Sequence, residues 1–287
     1  MAATKKIKAS MLSAVWKRFK KNKASVGGGF ITIIIVGIAI FAPLIAPHDP
    51  AKPNYGKELQ PPSLDFPLGT DPGGRDILSY IIWGARTSLL VACGAILIEV
   101  AIGVLIGGIA GYFGGAIDEV LMRFTDIIMT LPTILLLLTA VSMLKMRSIV
   151  LITLIMGLLG WPWMARIVRS EFLSLKEATF VEAARSLGIG NWRIIVRHIL
   201  PNAISPIIVV ATLDAPFYIM YEATLSFLGL GDPTAISWGN LVARGKNVLT
   251  NAWWVATFPG LMIFITTIGL NLLGDGLRDA FDVRVRI

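Results

Sequence analysis

The chain is poor in the residues that build cross-links and metal sites. It has one cysteine in 287 residues, Cys93. No intrachain disulfide can form, and a cysteine-rich metal site is excluded. The flanks of Cys93, from Leu89 to Ile98, are apolar, which suits a small packing residue. The two histidines, His48 and His198, stand 150 residues apart, so a histidine metal site finds little support and no metal ligand is assigned. Charge is also scarce: 15% of the residues are Asp, Glu, Lys or Arg, against about 25% in an ordinary soluble domain. That scarcity argues against a soluble enzyme. It argues equally against a disordered chain, which would be rich in charge and poor in apolar residues. There is no convincing internal repeat and no low-complexity tract. No Walker A pattern is present, so ATP cannot be bound through the usual P-loop. No convergent catalytic group is visible either, and no catalytic residue is assigned.

What is abundant is apolar sequence. Apolar residues make up 55% of the chain before its 28 glycines are counted. A spanning helix needs roughly 20 mostly apolar residues, and six stretches meet that need: 24–47, 88–111, 120–144, 148–165, 203–228 and 253–273. The first is too long for a signal peptide and carries Pro43 and Pro47 where a cleavage site would need small residues. The expected fold is therefore an all-α integral membrane protein with six transmembrane helices. Around them lie a basic segment at 1–23, a proline-rich segment at 48–87, a polar loop at 166–201 and a tail at 275–287. Residues 88–274 form a five-helix core.

An even number of spans puts both termini on one side, and the distribution of basic residues says which. With the N-terminus inside, 18 of the 26 Lys and Arg fall in cytoplasmic segments and eight in external ones. Both termini are expected in the cytoplasm, with 48–87 outside and 166–201 inside. The net charge of +8 then marks topology. Nucleic-acid binding is disfavoured, because no interleaving of aromatic and basic residues accompanies the charge.

The inner loop carries its own helix signals. Thr179 is placed to cap a helix with Glu182 three residues on, as in a capping box. Phe180, Ala183, Ala184, Arg185 and Leu187 continue it, and Gly188 stands where a left-handed C-terminal cap is usually glycine. A second helix is expected from about Asn191 towards Pro201. Small side chains at Ala183 and Ala184 would let another surface come close. A linker lying on the membrane and a docking element for a soluble partner both fit this pattern.

Several motifs carry a family resemblance. Glu182-Ala183-Ala184, Gly188 six residues after that Glu, and Leu200-Pro201 twelve residues after the Gly resemble the EAA loop of ABC importer permeases. Leu68-Gly69-Thr70-Asp71 with Gly74-Arg75-Asp76, then Gly84-Ala85-Arg86-Thr87-Ser88-Leu89, resemble the dipeptide/oligopeptide/nickel branch. So do Gly111-Tyr112-Phe113-Gly114-Gly115, Leu225-Ser226-Phe227-Leu228-Gly229-Leu230-Gly231 and Asn271-Leu272-Leu273-Gly274-Asp275-Gly276. Phe41-Ala42-Pro43 and Ala46-Pro47 resemble the C-type member of the permease pair. One departure is His198, where the general pattern commonly has Ile. The resemblance runs from about Trp16 to Asp282.

The resemblance implies the type I ABC importer permease fold in a bacterial or archaeal cytoplasmic (inner) membrane. It also implies a second, homologous permease subunit, two ABC ATPase subunits that bind ATP and Mg, and an external solute-binding protein; this chain would bind no cofactor. Residues Phe180, Glu182, Ala183, Ala184, Arg185 and Gly188 would form the coupling helix that meets the ATPase. The cargo would be dipeptides or oligopeptides. Nickel or another small solute is the alternative within the family, and a stand-alone ion-coupled secondary transporter is the alternative outside it.

Two further sets of residues stand out. Gly103, Gly107 and Gly111 repeat every four residues, with Ala95 and Glu99 continuing the row upstream. Such a stripe admits a close helix, either from a partner permease or from this chain. Asp214, Tyr218, Tyr221 and Glu222 share a drifting helical face, with Pro206 and Pro216 in the same span. Carboxylates inside a membrane are costly unless they face protein or water, so these four are candidates to line a translocation path and meet a peptide's ammonium. Glu99 is read as structural, as are Arg75 and Asp76. Trp161-Pro162-Trp163 is read as an interfacial anchor at the end of the fourth span.

Overall fold

The computed structural model describes residues 16–144 and 147–281. Most of the basic N-terminal segment, Lys145 and Met146, and the end of the tail lie outside the described residues.

The described chain is helical, and no strand occurs among its residues. Helix α1, Lys23–Ile45, starts where the Asn22 side chain accepts from the N–H groups of Ala24 and Ser25. It lies against the last helix, α10, Trp254–Phe281. A Cβ at Gly28 would stand 2.6 Å from Leu272 Cβ, so only glycine permits this approach. The outer side of α1 exposes Ile33 and Leu44, a face suited to lipid.

Helix α2, Ile77–Phe113, begins eleven residues earlier than expected. The cause is Asp76, whose carboxylate accepts from Leu78 N, Ser79 N and Ser79 Oγ and satisfies the free donors of the first turn. At 37 residues the helix is about 55 Å long, well beyond a bilayer core of about 30 Å. Gly114, at φ +67°, ends it.

The third expected span is broken. Helix α3, Gly115–Met129, and helix α4, Thr133–Met143, meet at 80°. Pro132 lies at the break; it has no N–H to donate and restricts the residue before it. Among the described residues five helices are thus long and apolar enough to cross a membrane, and the count is six where the bent pair is taken as one span.

Helix α5, Ile149–Leu175, runs ten residues past the expected end at 165. Its extension is amphipathic: Val168 and Phe172 are buried while Arg166 is exposed. The segment 166–201 is correspondingly less of a loop. It contains α6, Thr179–Ser186, then α7, Asn191–Ile194, which passes through a π-helical turn, Ile195–Ile199, into α8, Leu200–Phe227. A short helix, α9, Trp238–Gly245, was not expected. Helix α10 continues to Phe281, eight residues beyond the expected 273.

Helices α2 and α5 form the most extensive pair. A Cβ at Gly103 would press on Met164, one at Gly107 on the carbonyl oxygen of Ala165, and one at Gly111 would stand 2.7 Å from that of Arg169. In return, a Cβ at Gly157 would stand 2.7 Å from the carbonyl oxygen of Ala95. Of the two alternatives left open for the glycine stripe, the structure shows the second: it is filled by this chain's own helix. Cys93, expected to pack, is exposed instead.

One end of the bundle carries 46–76 and α9. Asp71, buried, accepts from the N–H groups of Gly73 and Arg75 and pairs with Arg75 (3.4 Å) and Arg244 (3.1 Å). Trp238 donates its indole N–H to the Ile81 carbonyl at 2.9 Å, which locks α9 onto α2. Asp232 accepts from Ile149 N at 3.0 Å and so supplies α5 with an N-terminal partner from the α8–α9 loop. Partial burial pushes the Asp232 carboxyl up, but hydrogen bonds from Thr234, Ile149 and Ala235 outweigh it and hold the group below its ordinary range. The opposite end carries α6, α7 and the ion pairs Arg169–Asp118 and Arg166–Asp126.

Gly107→Ala is expected to cost about 1–3 kcal/mol of stability by overpacking the α2–α5 seam. Gly27→Ala, where a Cβ meets nothing within 4 Å, is expected to cost none. Thermal unfolding of the two purified, detergent-solubilised variants compares them directly.

Candidate functional site

Two places concentrate unusual chemistry. The first is the α6 hairpin. Helix α6 starts with Ala178 as its N-cap and no side-chain cap. Thr179 is already the first helical residue, which sets Glu182 one position too late for the expected capping box. Glu182 still lies in the first turn, where its charge suits the helix dipole. Val181 and Ala184, three residues apart, turn inward onto a core shared with Met164, Val168, Phe172, Ile194 and Ile199. Ala184 is therefore not available to an outside surface, as the small-residue argument had supposed. Glu182, Ala183 and Arg185 are exposed.

The helix stops in a Schellman turn. Ile189 N donates to Ala184 O (3.1 Å) and Gly188 N to Arg185 O (2.9 Å), with Gly188 at φ +74°. Around it lie apolar side chains that the chain does not cover: Leu187 is 79% exposed, Trp192 68% and Phe180 39%. Phe180, Ala183 and Leu187 sit at i, i+3 and i+7, on one helical face.

The second place is a half-open cavity of ≈ 460 Å³ in the side of the bundle. The break between α3 and α4 opens it, with Met129 and Thr133 on its wall. Helix α5 contributes Gly160 and Trp163, α8 contributes Asp214, Phe217, Tyr218 and Tyr221, and α2 contributes Glu99. The Tyr218 hydroxyl donates to Glu99 Oε2 at 3.0 Å. Asp214 is near enough for its carboxyl to interact with that of Glu99, and its Oδ2 is buried without a hydrogen bond. A Cβ at Gly160 would strike the Tyr218 hydroxyl, so the glycine leaves that hydroxyl its room. The rings of Tyr218 and Tyr221 meet edge to face, 6.3 Å apart. The cavity thus offers carboxyls, hydroxyls and aromatic faces to a polar or cationic guest.

The structure brings Asp214, Tyr218 and Tyr221 together and takes Glu222 away. Eight residues of helix turn Glu222 about 80° from Asp214. Glu222 is 2% exposed, and its Oε1 accepts from Ser226 Oγ (2.9 Å) and Ser237 Oγ (2.7 Å). It stitches α8 to the start of α9. Glu99 stands on the cavity wall in its place, although its position in the glycine row made it look like packing. Its signal was the one already applied to Asp214: a carboxylate within a span. Trp161, read as an interfacial anchor, is buried and stacks on Phe124 at 6.1 Å, because α5 does not end there. Among the described residues no group of three or more His, Cys, Asp and Glu side chains could hold a metal ion.

The chain matches known proteins along most of its length. The family described as the binding-protein-dependent transport system inner membrane component matches residues 103–287. The N-terminal TM domain of oligopeptide transport permease C matches residues 10–62. The oligopeptide transport system permease protein OppC of Bacillus subtilis (strain 168) is 40% identical over 95% of this chain and 91% of its own. The dipeptide transport system permease protein DppC of the same organism is 40% identical over 94% and 85%. The di/tripeptide transport system permease protein DppC of Pseudomonas aeruginosa (strain UCBPP-PA14) is 36% identical over 96% and 93%. Among solved structures, a chain of the MetNI methionine ABC transporter in an inward-facing conformation aligns with a TM-score of 0.55 at 19% identity. It covers 71% of this chain and 97% of its own. A chain of an amino acid ABC transporter aligns at 0.52 and 18%, covering 69% and 92%. At such identities these two speak to fold alone.

A Cβ at Gly188 has open space around it, so a substitution there tests backbone conformation and nothing else. Gly188→Val is expected to destabilise the hairpin by about 1–2 kcal/mol. Hydrogen exchange should accelerate across residues 179–195 and stay unchanged in α2 and α5.

Proposed function

The chain belongs to the family of binding-protein-dependent transport system inner membrane components, and on that premise we propose that it carries dipeptides or oligopeptides inward across the cytoplasmic membrane. It is a multi-pass permease component of an ABC transporter rather than an enzyme. The cargo reading is supported by the names of relatives 36–40% identical over more than nine-tenths of the chain.

The observation that carries the mechanism is the α6 hairpin. An eight-residue helix is anchored to the bundle by Val181 and Ala184 and presents Phe180, Ala183 and Leu187 outward. A monomer in water has no use for that apolar face, and a cleft on a partner would cover it. In this reading the partner is one of two ATPase subunits, which bind ATP and Mg and hydrolyse the nucleotide. Residues Phe180, Glu182, Ala183, Arg185 and Gly188 meet it or shape the segment that does. The excess of basic residues on the hairpin's side supports a cytoplasmic location for that end and for both termini. The opposite end, with 46–76 and α9, then faces an external solute-binding protein. A second, homologous permease completes the path.

In the same reading the bundle cavity is this chain's share of the path. Its chemistry suits a peptide. The Glu99 and Asp214 carboxyls can meet the N-terminal ammonium, and Tyr221, Trp163 and Phe217 offer surface to side chains of varied kind. A site built mostly of aromatic faces and few fixed donors accepts many side chains, as a general peptide carrier must.

Reconstitution of the chain with its second permease, ATPases and binding protein in proteoliposomes tests the assignment. Labelled alanine dipeptide and longer alanine peptides should accumulate only with ATP, and nickel should not. ATP-independent accumulation, or uptake of nickel alone, would overturn it. Glu182→Ala should abolish uptake while the protein still reaches the membrane; unimpaired uptake would sink the coupling role of α6. Asp214→Asn and Glu99→Gln should each raise KM for free peptides about tenfold, the worth of one charge-assisted hydrogen bond. KM for an N-acetylated peptide should be unaffected, and equal effects on both substrates would remove the carboxyls from ammonium recognition.

A further inference from the structure

We propose that Tyr112 is the joint through which movement of the α6 hairpin is passed to the cavity. The inference rests on the reading that α6 docks on the ATPase, and it adds the route by which that docking reaches the cargo.

Tyr112 is the penultimate residue of α2 and is buried. It holds both arms of the hairpin. Its hydroxyl donates to Asn191 Oδ1 at 2.8 Å, and Asn191 opens α7. The Arg185 guanidinium, in the last turn of α6, lies 5.6 Å from the centroid of the Tyr112 ring, within reach of a cation–π attraction. Gly188 and its turn lie between these two contacts. A single ring therefore spans the hairpin, and the hairpin cannot shift without pulling on it.

Tyr112 is itself held firmly. Gly111, next to it, is pressed on the Arg169 carbonyl and Phe172, and the Phe113 ring meets it edge to face at 5.2 Å. Helix α2 then runs without a break from Tyr112 back to Glu99, which lines the cavity. Thirteen residues of α-helix cover about 20 Å. An uninterrupted helix is stiff along its axis, so a displacement at Tyr112 arrives at Glu99 and at the Tyr218 hydroxyl bonded to it. Of the other links from the hairpin, the one through α7 into α8 passes a π-helical turn at Ile195–Ile199, where helices kink readily, and the packing of Val181 and Ala184 on α5 is apolar and has no directional bond. Tyr112 is thus a positioning residue: it touches no cargo and acts through α2.

The test measures alanine dipeptide transported per ATP hydrolysed in the fully assembled, reconstituted transporter. That ratio does not change when fewer complexes assemble, so a merely structural role leaves it alone. Tyr112→Leu, which removes the ring and the hydroxyl, is expected to lower the ratio at least about fivefold, the lower end of usual coupling energies. Basal ATP hydrolysis per complex should be unchanged. Tyr112→Phe keeps the ring and should fall in between. Asn191→Ala should match Tyr112→Phe, and the double variant should be no worse than either. If Tyr112→Leu fails to assemble, the Phe and Asn191 variants decide alone. An unchanged ratio in all of them, or single effects that multiply in the double variant, overturns the proposal. Glu182→Ala in the same assay separates the two readings. If it uncouples transport while the Tyr112 variants do not, only the joint fails; if neither uncouples, the docking role of α6 fails as well.

Discussion

Helices α2 and α5 approach until the backbone of one touches the other, and the rest of the bundle is arranged around that contact. In lipid, burial of apolar surface does little to bring helices together, so close van der Waals packing must do it. Gly103, Gly107 and Gly111 on one side and Gly157 on the other remove the side chains that would hold the backbones apart. The seam sets the relative height of the two helices, and three polar contacts inherit that height. Glu99 comes level with Gly160, which leaves room for the Tyr218 hydroxyl. Arg169 comes level with Asp118, which it pairs through two nitrogens. Tyr112 comes level with the hairpin.

The spans were legible in the sequence because long apolar runs have few other uses in a chain of this composition. The Gly188 turn and the start at Asn191 were legible for a similar reason, since glycine at a left-handed position has a specific backbone purpose. The extensions were not. Hydropathy stops at the first charges, so it cut α5 at Arg166, although Val168 and Phe172 keep the helical face going. It also started α2 at Ser88, although Asp76 caps a helix that begins at Ile77. A window of apolar residues is likewise blind to direction, and the 80° break left only Pro132 as a trace. Capping was misread by one residue, which was enough to dissolve the expected box at Thr179.

The buried carboxylates show where one-dimensional reasoning stops. Asp214, Glu222 and Glu99 all carry the same signal, a costly group inside a span. What separates them is what they face. Glu222 meets two hydroxyls from its own chain, while Glu99 and Asp214 open on a cavity. Helical periodicity allowed Asp214 and Glu222 to share a face loosely. A drift of about 80° over two turns was sufficient to send one to the cavity and the other to the seam with α9.

The break at Pro132 has a mechanical side. Helix α4 is short, it forms part of the cavity wall through Thr133 and Leu136, and among the described elements it packs appreciably only on α5. The opposite walls belong to α2, α5 and α8, which grip one another along their length. The chamber is thus a rigid trough with one loosely hinged side. A guest longer than the resting space displaces the side that costs least, and the trough keeps its alignment with the hairpin. Variation in guest size is absorbed at one wall, while the helices that reach the α6 hairpin stay in place.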